Sequence, residues 1–235
     1  MGFIQDALSM FKKKDLLFLE RYKETENVYT FLFEKDKALT WETGQYGLFT
    51  IIHKKIKNNT RPFSVASATT ENVVRITTTI SAEPSDYKKA LLELKPGMRI
   101  RIAGPVGSFS VTDNIPSLLI AGGMGITPFR AILKQIEAEE NGAVQPINLL
   151  YLDSNNSYIF KNELDEIANN HSIHVTYLGS RDDLHKEIDK FTSKYKNEGK
   201  YFVAGPKSMV ESISSYLQKD NISKRNIKKD SFFGY

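Results

Sequence analysis

The chain has 235 residues, 40% of them hydrophobic and 26% charged, which is enough for a substantial core and an ordinary globular composition, arranged here as two moderate domains. It contains no cysteine, which excludes disulfides, zinc–thiolate sites, cysteine nucleophiles and cysteine-ligated iron–sulfur clusters and leaves any electron chemistry to a bound organic cofactor. The net charge of +4, from 32 Lys and Arg against 28 Asp and Glu, lies partly in short runs without the interleaved aromatic residues of a nucleic-acid module. No stretch approaches the roughly 20 apolar residues of a membrane span.

At the start, Phe3, Ile4, Ala7, Leu8 and Phe11 form a helical apolar stripe ended by Lys12-Lys13-Lys14. Such a stripe packs against the rest of the fold, docks a partner, or makes peripheral membrane contact through residues 3–14. The first ten residues lack a basic start and carry Asp6, so no signal peptide is expected and the expected location is cytoplasmic. Apolar and polar residues then alternate over 18–22, 28–33, 48–53 and 73–80, with turn signals at Glu42-Thr43-Gly44-Gln45 and Lys57-Asn58-Asn59-Thr60. This pattern predicts an antiparallel β-barrel over residues 1–112. One helix is expected from about Ser85 to Leu94, followed by a Lys95-Pro96-Gly97 turn and a strand over 98–103.

Within this half, Arg61-Pro62-Phe63-Ser64 runs into the apolar Val65-Ala66-Ser67. It puts an arginine, an aromatic ring and a hydroxyl at a strand edge, groups that match a phosphate, a flat heterocycle and a hydrogen-bonding ring atom. Gly104-Pro105-Val106-Gly107-Ser108-Phe109 reads as a turn between domains.

From residue 113 the pattern becomes strand then helix, with strands expected at 117–121, 146–152, 172–178 and 200–204 and helices near 128–140, 160–169, 184–190 and 207–219. That alternation predicts a parallel sheet covered by helices on both faces, with ligands at the carboxyl ends of its strands. Ala121-Gly122-Gly123-Met124-Gly125-Ile126-Thr127-Pro128 marks such an end. Gly122, Gly123 and Gly125 permit a sharp turn and close approach of a ligand, and Thr127 is expected to cap a helix that Pro128 begins. Phe129, Ile132, Leu133 and Ile136 follow as one buried helix face. A helix start after glycines suits an anion, and dinucleotide pyrophosphate fits, although a merely tight connection fits as well. Pro128 stands where a third glycine of G-x-G-x-x-G would be. Ala204-Gly205-Pro206-Lys207-Ser208-Met209 repeats the same logic. His53, His171, His174 and His185 have no metal-binding spacing and read as surface or structural residues, so no metal is expected.

The order Arg-x-aromatic-Ser, Gly-Pro-x-Gly-x-Phe, Ala-Gly-Gly-x-Gly-Ile-Thr-Pro and Gly-Pro-x-x-Met resembles the ferredoxin-NADP reductase superfamily over nearly the whole chain, from about residue 16 to Tyr235. The resemblance implies an FAD-binding β-barrel domain at 1–112 and an NAD(P)-binding α/β domain at 113–235, with hydride passing across a cleft. By motif, Arg61 lies at the flavin phosphate, Phe63 on the isoalloxazine or ribityl part, and Ser64 near flavin N5, with Pro62 also at the FAD site. Thr78 and Thr79 also touch FAD. Ser85, Asp86 and Tyr87 open the helix that contacts its pyrophosphate, which argues for FAD rather than FMN. Thr127 stands between flavin and nicotinamide. Gly123, Gly125, Ile126, Gly205, Pro206 and Met209 line the dinucleotide path. Phe233 and Tyr235 form an aromatic tail, with Tyr235 as a gate over the flavin; Ser64, Thr127 and Tyr235 are the expected catalytic residues.

Two departures stand out. Ala204 takes the place where many relatives have cysteine, and Asp230 is a loose substitute for a glutamate near the C-terminus. Asp153, after the second strand of the nucleotide domain, would repel a 2′-phosphate, so NADH is expected over NADPH, with Arg181 as the residue that would reverse this. The expected function is hydride transfer from NAD(P)H to FAD and onward electron transfer to a ferredoxin, flavodoxin, haem protein or similar acceptor. A free-flavin or ferric reductase is the alternative within the fold, and a non-catalytic electron-transfer partner or nucleotide-binding regulator the alternative outside it. A monomer or weak dimer is expected.

Overall fold

A computed structural model describes residues 13–111, 114–139, 145–170 and 172–232. The expected N-terminal stripe at residues 3–11, His171, Phe233 and Tyr235 lie outside the described residues. The chain divides into two compact units, one ending at Ser110 and the other starting at Val111.

The first unit has strands β1 (Lys13–Lys23), β2 (Val28–Glu34), β3 (Tyr46–Ile51), β4 (Thr60–Ser64), β5 (Val73–Thr79) and β6 (Arg99–Val106), with helix α1 (Asp86–Leu92) between β5 and β6. They form one antiparallel, barrel-like sheet in the order β4-β3-β6-β1-β2-β5. The sheet is not closed by a ladder. Beyond β4, the Ala66 N–H donates to the Arg75 carbonyl at 2.8 Å and Ser67 Oγ to that of Val73 at 2.7 Å, which ties the two edges together.

The alternation has its expected effect. Leu16 and Phe18, Phe31 and Phe33, Phe49 and Ile51, Val74 and Ile76, and Ile100 and Ile102 all point inward, where Tyr87, Ala90 and Leu91 of α1 plug the same core. Gly104-Pro105-Val106 is not a turn, as expected, but the end of β6. After a register shift in the β3 ladder, Tyr46 still offers Val106 a pairing partner, so the strand continues.

The second unit carries β7 (Ser117–Gly122), β8 (Ile147–Leu152), β9 (Ile173–Leu178), β10 (Lys200–Pro206) and β11 (Ile227–Phe232) in a parallel sheet of order β11-β10-β7-β8-β9. Helices α2 (Ile126–Ala138), α3 (Lys161–Asn170), α4 (Arg181–Tyr195) and α5 (Lys207–Lys219) connect them. β7 is the central strand and is buried throughout. One face of the sheet, with Leu118, Ile120, Leu150 and Val203, packs on Leu184 and Ile188 of α4 and on Val210, Ile213 and Leu217 of α5.

α4 and β11 differ from expectation. α4 begins at Arg181 rather than near 184, because Ser180 Oγ accepts the Asp183 N–H at 3.2 Å and Asp182 and Asp183 suit the positive end of a helix. β11 has no apolar periodicity to announce it; its ladder to β10 makes Ile227-Lys228-Lys229-Asp230-Ser231-Phe232 an edge strand.

Candidate functional site

Arg61 and Ser64 stand on β4. Arg61 Nη1 donates to the carbonyls of Asn58 at 3.0 Å and Thr60 at 2.8 Å, and its guanidinium lies 5.7 Å from the Tyr87 ring centroid. The head group is thereby held in place, and its remaining N–H groups have no partner among the described residues. Phe63 packs inward, 5.8 Å from Phe49 and 5.9 Å from Tyr87 between ring centroids, while Pro62 stays exposed. Ser64 is only 8% exposed, yet its hydroxyl makes no hydrogen bond among the described residues.

Tyr46 is a residue that sequence reasoning missed. It pairs with Ser64 across the β3–β4 ladder, so both side chains share one face, and its ring lies over Gly107. Gly107 has φ +116, a conformation that requires glycine. Tyr46 remains 37% exposed. The Glu42-Thr43-Gly44-Gln45 turn signal just before it was legible, but the register that brings Tyr46 to Ser64 was not.

Thr78 is buried at the end of β5 beside half-buried Thr79, and the Thr78 hydroxyl makes only a long 3.4 Å contact to the Thr79 carbonyl. Ser85 caps α1 by accepting the Lys88 N–H at 3.4 Å, with Asp86 exposed in the first turn. Tyr87 is an interior residue: its hydroxyl donates to the Phe49 carbonyl at 3.0 Å, and burial pushes its phenol above the ordinary range. Only its backbone is left for a ligand at the surface.

In the second unit the ladders pair Gly122 with Leu152, Leu152 with Leu178, and Ala121 with Ala204. Gly123, Asp153 and Gly179 therefore leave the sheet near one level of its carboxyl edge, the level at which Gly205 leaves the β7 ladder while still paired with β11. The strand order reverses between β7 and β10, and that is where open parallel sheets bind ligands.

The glycines divide by role. Gly123 has φ +50, and a Cβ there would meet nothing within 4 Å, so it serves the backbone conformation and faces open space. Gly125 has an ordinary φ of −61, but a Cβ on it would run into the Ala204 carbonyl and lie 2.7 Å from the Gly205 nitrogen. A Cβ on Gly205, at φ +149, would lie 3.0 Å from the Gly122 oxygen. Gly125 and Gly205 thus let two backbones cross closely. Met209 packs over Gly122, Pro206 is exposed, and Ile126 is fully buried, so its side chain faces the interior.

Thr127 is not the helix cap. The chain winds through a 3₁₀ turn at Gly123–Gly125 directly into α2, which starts at Ile126, so the cap position falls on Gly125. Thr127 Oγ1 donates back to the Met124 carbonyl at 3.0 Å, and the residue is 4% exposed.

Asp153 Oδ1 accepts the N–H groups of Asn155 at 2.9 Å and Ser157 at 3.2 Å, which closes its own turn. Its other oxygen has no partner among the described residues. Arg181 is the exposed first residue of α4.

Asp230 pairs in the ladder with Ala204, and burial pushes its carboxyl up to about 6. A carboxyl raised from 3.8 in the folded state favours folding below about pH 4 and loses that advantage as pH rises towards 6. Asp230→Asn is expected to melt higher than the parent at pH 8 and no higher at pH 4. Equal melting temperatures at pH 8 would contradict the burial of that carboxyl.

Among the described residues there is no group of three metal-ligating side chains, and no helix long and apolar enough to cross a membrane.

Comparison with known proteins agrees with this architecture. The family model described as an oxidoreductase NAD-binding domain matches residues 119–215. The electron transfer component of toluate 1,2-dioxygenase from Pseudomonas putida is 28% identical over 148 residues, covering 59% of this chain and 44% of that protein. The chain spans about half the length of the curated relatives it matches. Ferredoxin-NADP+ reductase from Plasmodium falciparum, solved with 2′P-AMP, superposes with a TM-score of 0.80 at 17% identity, covering 94% of this chain and 97% of that one. A flavohemoglobin from Malassezia yamatoensis with bound FAD and heme gives 0.75 at 19% identity, with 94% and 60% covered. The match to the oxidoreductase NAD-binding domain model lies within the second unit, and the solved structures share the fold of the barrel-like sheet and of the parallel sheet.

Proposed function

We propose that the chain is an FAD-dependent NAD(P)H oxidoreductase that takes hydride from a reduced nicotinamide nucleotide and passes electrons to an acceptor. The observation that carries this reading is the chemistry that β4 leaves available: a Ser64 hydroxyl with no hydrogen bond among the described residues and a pinned Arg61 guanidinium with N–H groups to offer. These groups fit a flavin nucleotide, with Arg61 on phosphate, Ser64 donating to a ring nitrogen, and Tyr46 beside it as an aromatic surface. When bound, the flavin supplies the conversion of a two-electron donor into single electrons.

In the second unit, the open Gly123 turn at the carboxyl edge of the sheet receives the anionic nucleotide. Ala204 is fully buried and brings no thiol, so this reading leaves hydride transfer to alignment alone. The free oxygen of Asp153 accepts a ribose hydroxyl and repels a 2′-phosphate, which makes NADH the preferred donor.

Anaerobic titration of the FAD-loaded chain tests the reading. Flavin absorbance should bleach with NADH faster than with NADPH, and a flavin left oxidised by both nucleotides would overturn the assignment. Asp153→Ser keeps a turn-forming hydroxyl but removes the charge, and it should shift the NADH-to-NADPH preference about 10-fold towards NADPH. An unchanged ratio would remove Asp153 from nucleotide choice.

A further inference from the structure

The turn that carries Asp153 is held from a direction the sequence did not suggest. Tyr158 donates its hydroxyl to Asn156 Oδ1 at 2.9 Å, and its ring lies 5.2 Å from Tyr151 and 4.9 Å from Tyr177 between centroids. Tyr151 is buried, and Tyr177 is fixed by its hydroxyl donating to Asp165 Oδ1 at 2.7 Å. The Tyr158 ring therefore has little freedom, and it hands that rigidity to Asn156. Asn156 has φ +54 and lies directly between the two oxygen-fixed residues of the Asp153 turn, Asn155 and Ser157. Its amide oxygen would be 2.8 Å from a Cβ placed on Gly179, so the loop after β9 presses on the same side chain.

We propose that Tyr158 and Asn156 are positioning residues for nucleotide selection, seated against Gly179 so that the free oxygen of Asp153 is held ready for the ribose of the nicotinamide nucleotide. This rests on the reading of Asp153 given above. A carboxylate on a loosened turn pays an ordering cost when it binds, which appears as weaker ribose recognition and not as slower chemistry.

Tyr158→Phe keeps the ring contacts with Tyr151 and Tyr177 and removes only the hydroxyl. It is expected to raise KM for NADH about 3- to 10-fold with kcat unchanged, to leave KM for NADPH nearly unaltered, and so to narrow the preference for NADH. Gly179→Ala, which pushes on the Asn156 oxygen from the other side, is expected to narrow it in the same way. In an Asp153→Ser background neither substitution should change the ratio further, because both act through the lost carboxylate. An unaltered ratio in Tyr158→Phe and Gly179→Ala, with Asp153→Ser still shifting it, overturns the positioning role alone. An equal effect with and without Asp153 does the same. If Asp153→Ser itself changes nothing, the reading of Asp153 falls, and the positioning role with it.

Discussion

Gly125→Ala is expected to destabilise the second unit by about 1–3 kcal/mol, as overpacking of a close interior contact does. The added methyl would collide with the Ala204 carbonyl and the Gly205 nitrogen, backbone atoms in β10 that cannot rotate away as a side-chain end would. Relief requires the β7 turn and the end of β10 to separate, at the point where the strand order reverses. Gly123→Ala makes the informative contrast. Its methyl meets nothing within 4 Å, so its cost is the left-handed conformation at φ +50, about 1–2 kcal/mol, and a methyl projecting where a nucleotide would lie. Thermal melting without nucleotide should therefore fall in both variants, whereas a raised KM for NADH at temperatures where the protein is fully folded should be the mark of Gly123→Ala. A Gly125→Ala protein that melts with the parent would refute the crossing-backbone role of Gly125.

That division of labour was not legible in the sequence, where Gly122, Gly123 and Gly125 look alike. Glycine spacing reports that the backbone must do something unusual, but whether φ, a neighbouring strand or a ligand demands it depends on what lies opposite in space. The same limit explains Tyr46, whose place beside Ser64 is a matter of ladder register, and Tyr87, which occupies a helix start yet points into the core. Strands with one buried face were legible because burial imposes period two on them, as at Phe31 and Phe33. β11 was not, since an edge strand can be held by main-chain bonds to β10 with Lys228, Lys229 and Asp230 along it. The α2 start was displaced for a local reason: a 3₁₀ turn at Gly123–Gly125 hydrogen-bonds into the helix before Thr127 is reached.

Arg61→Ala is expected to weaken FAD binding by about 1.5–3 kcal/mol, which is the typical worth of a hydrogen bond to a charged group. The structural reason is preorganisation. Two carbonyls, of Asn58 and Thr60, and the Tyr87 ring already hold the guanidinium, so little side-chain entropy is lost when its free N–H groups meet a phosphate. Alanine removes the charge and the fork together. Arg61→Lys restores the charge without the planar fork or the stack on Tyr87, and its affinity should fall between the two. The change should be confined to the cofactor: β4 pairs with β3 through main-chain bonds that neither variant alters, so circular dichroism should match the parent. The measurement is the FAD retained per chain after gel filtration, followed by titration of the stripped protein with FAD. Full retention in Arg61→Ala would move the phosphate site away from β4 and remove the main support for a flavin at that strand.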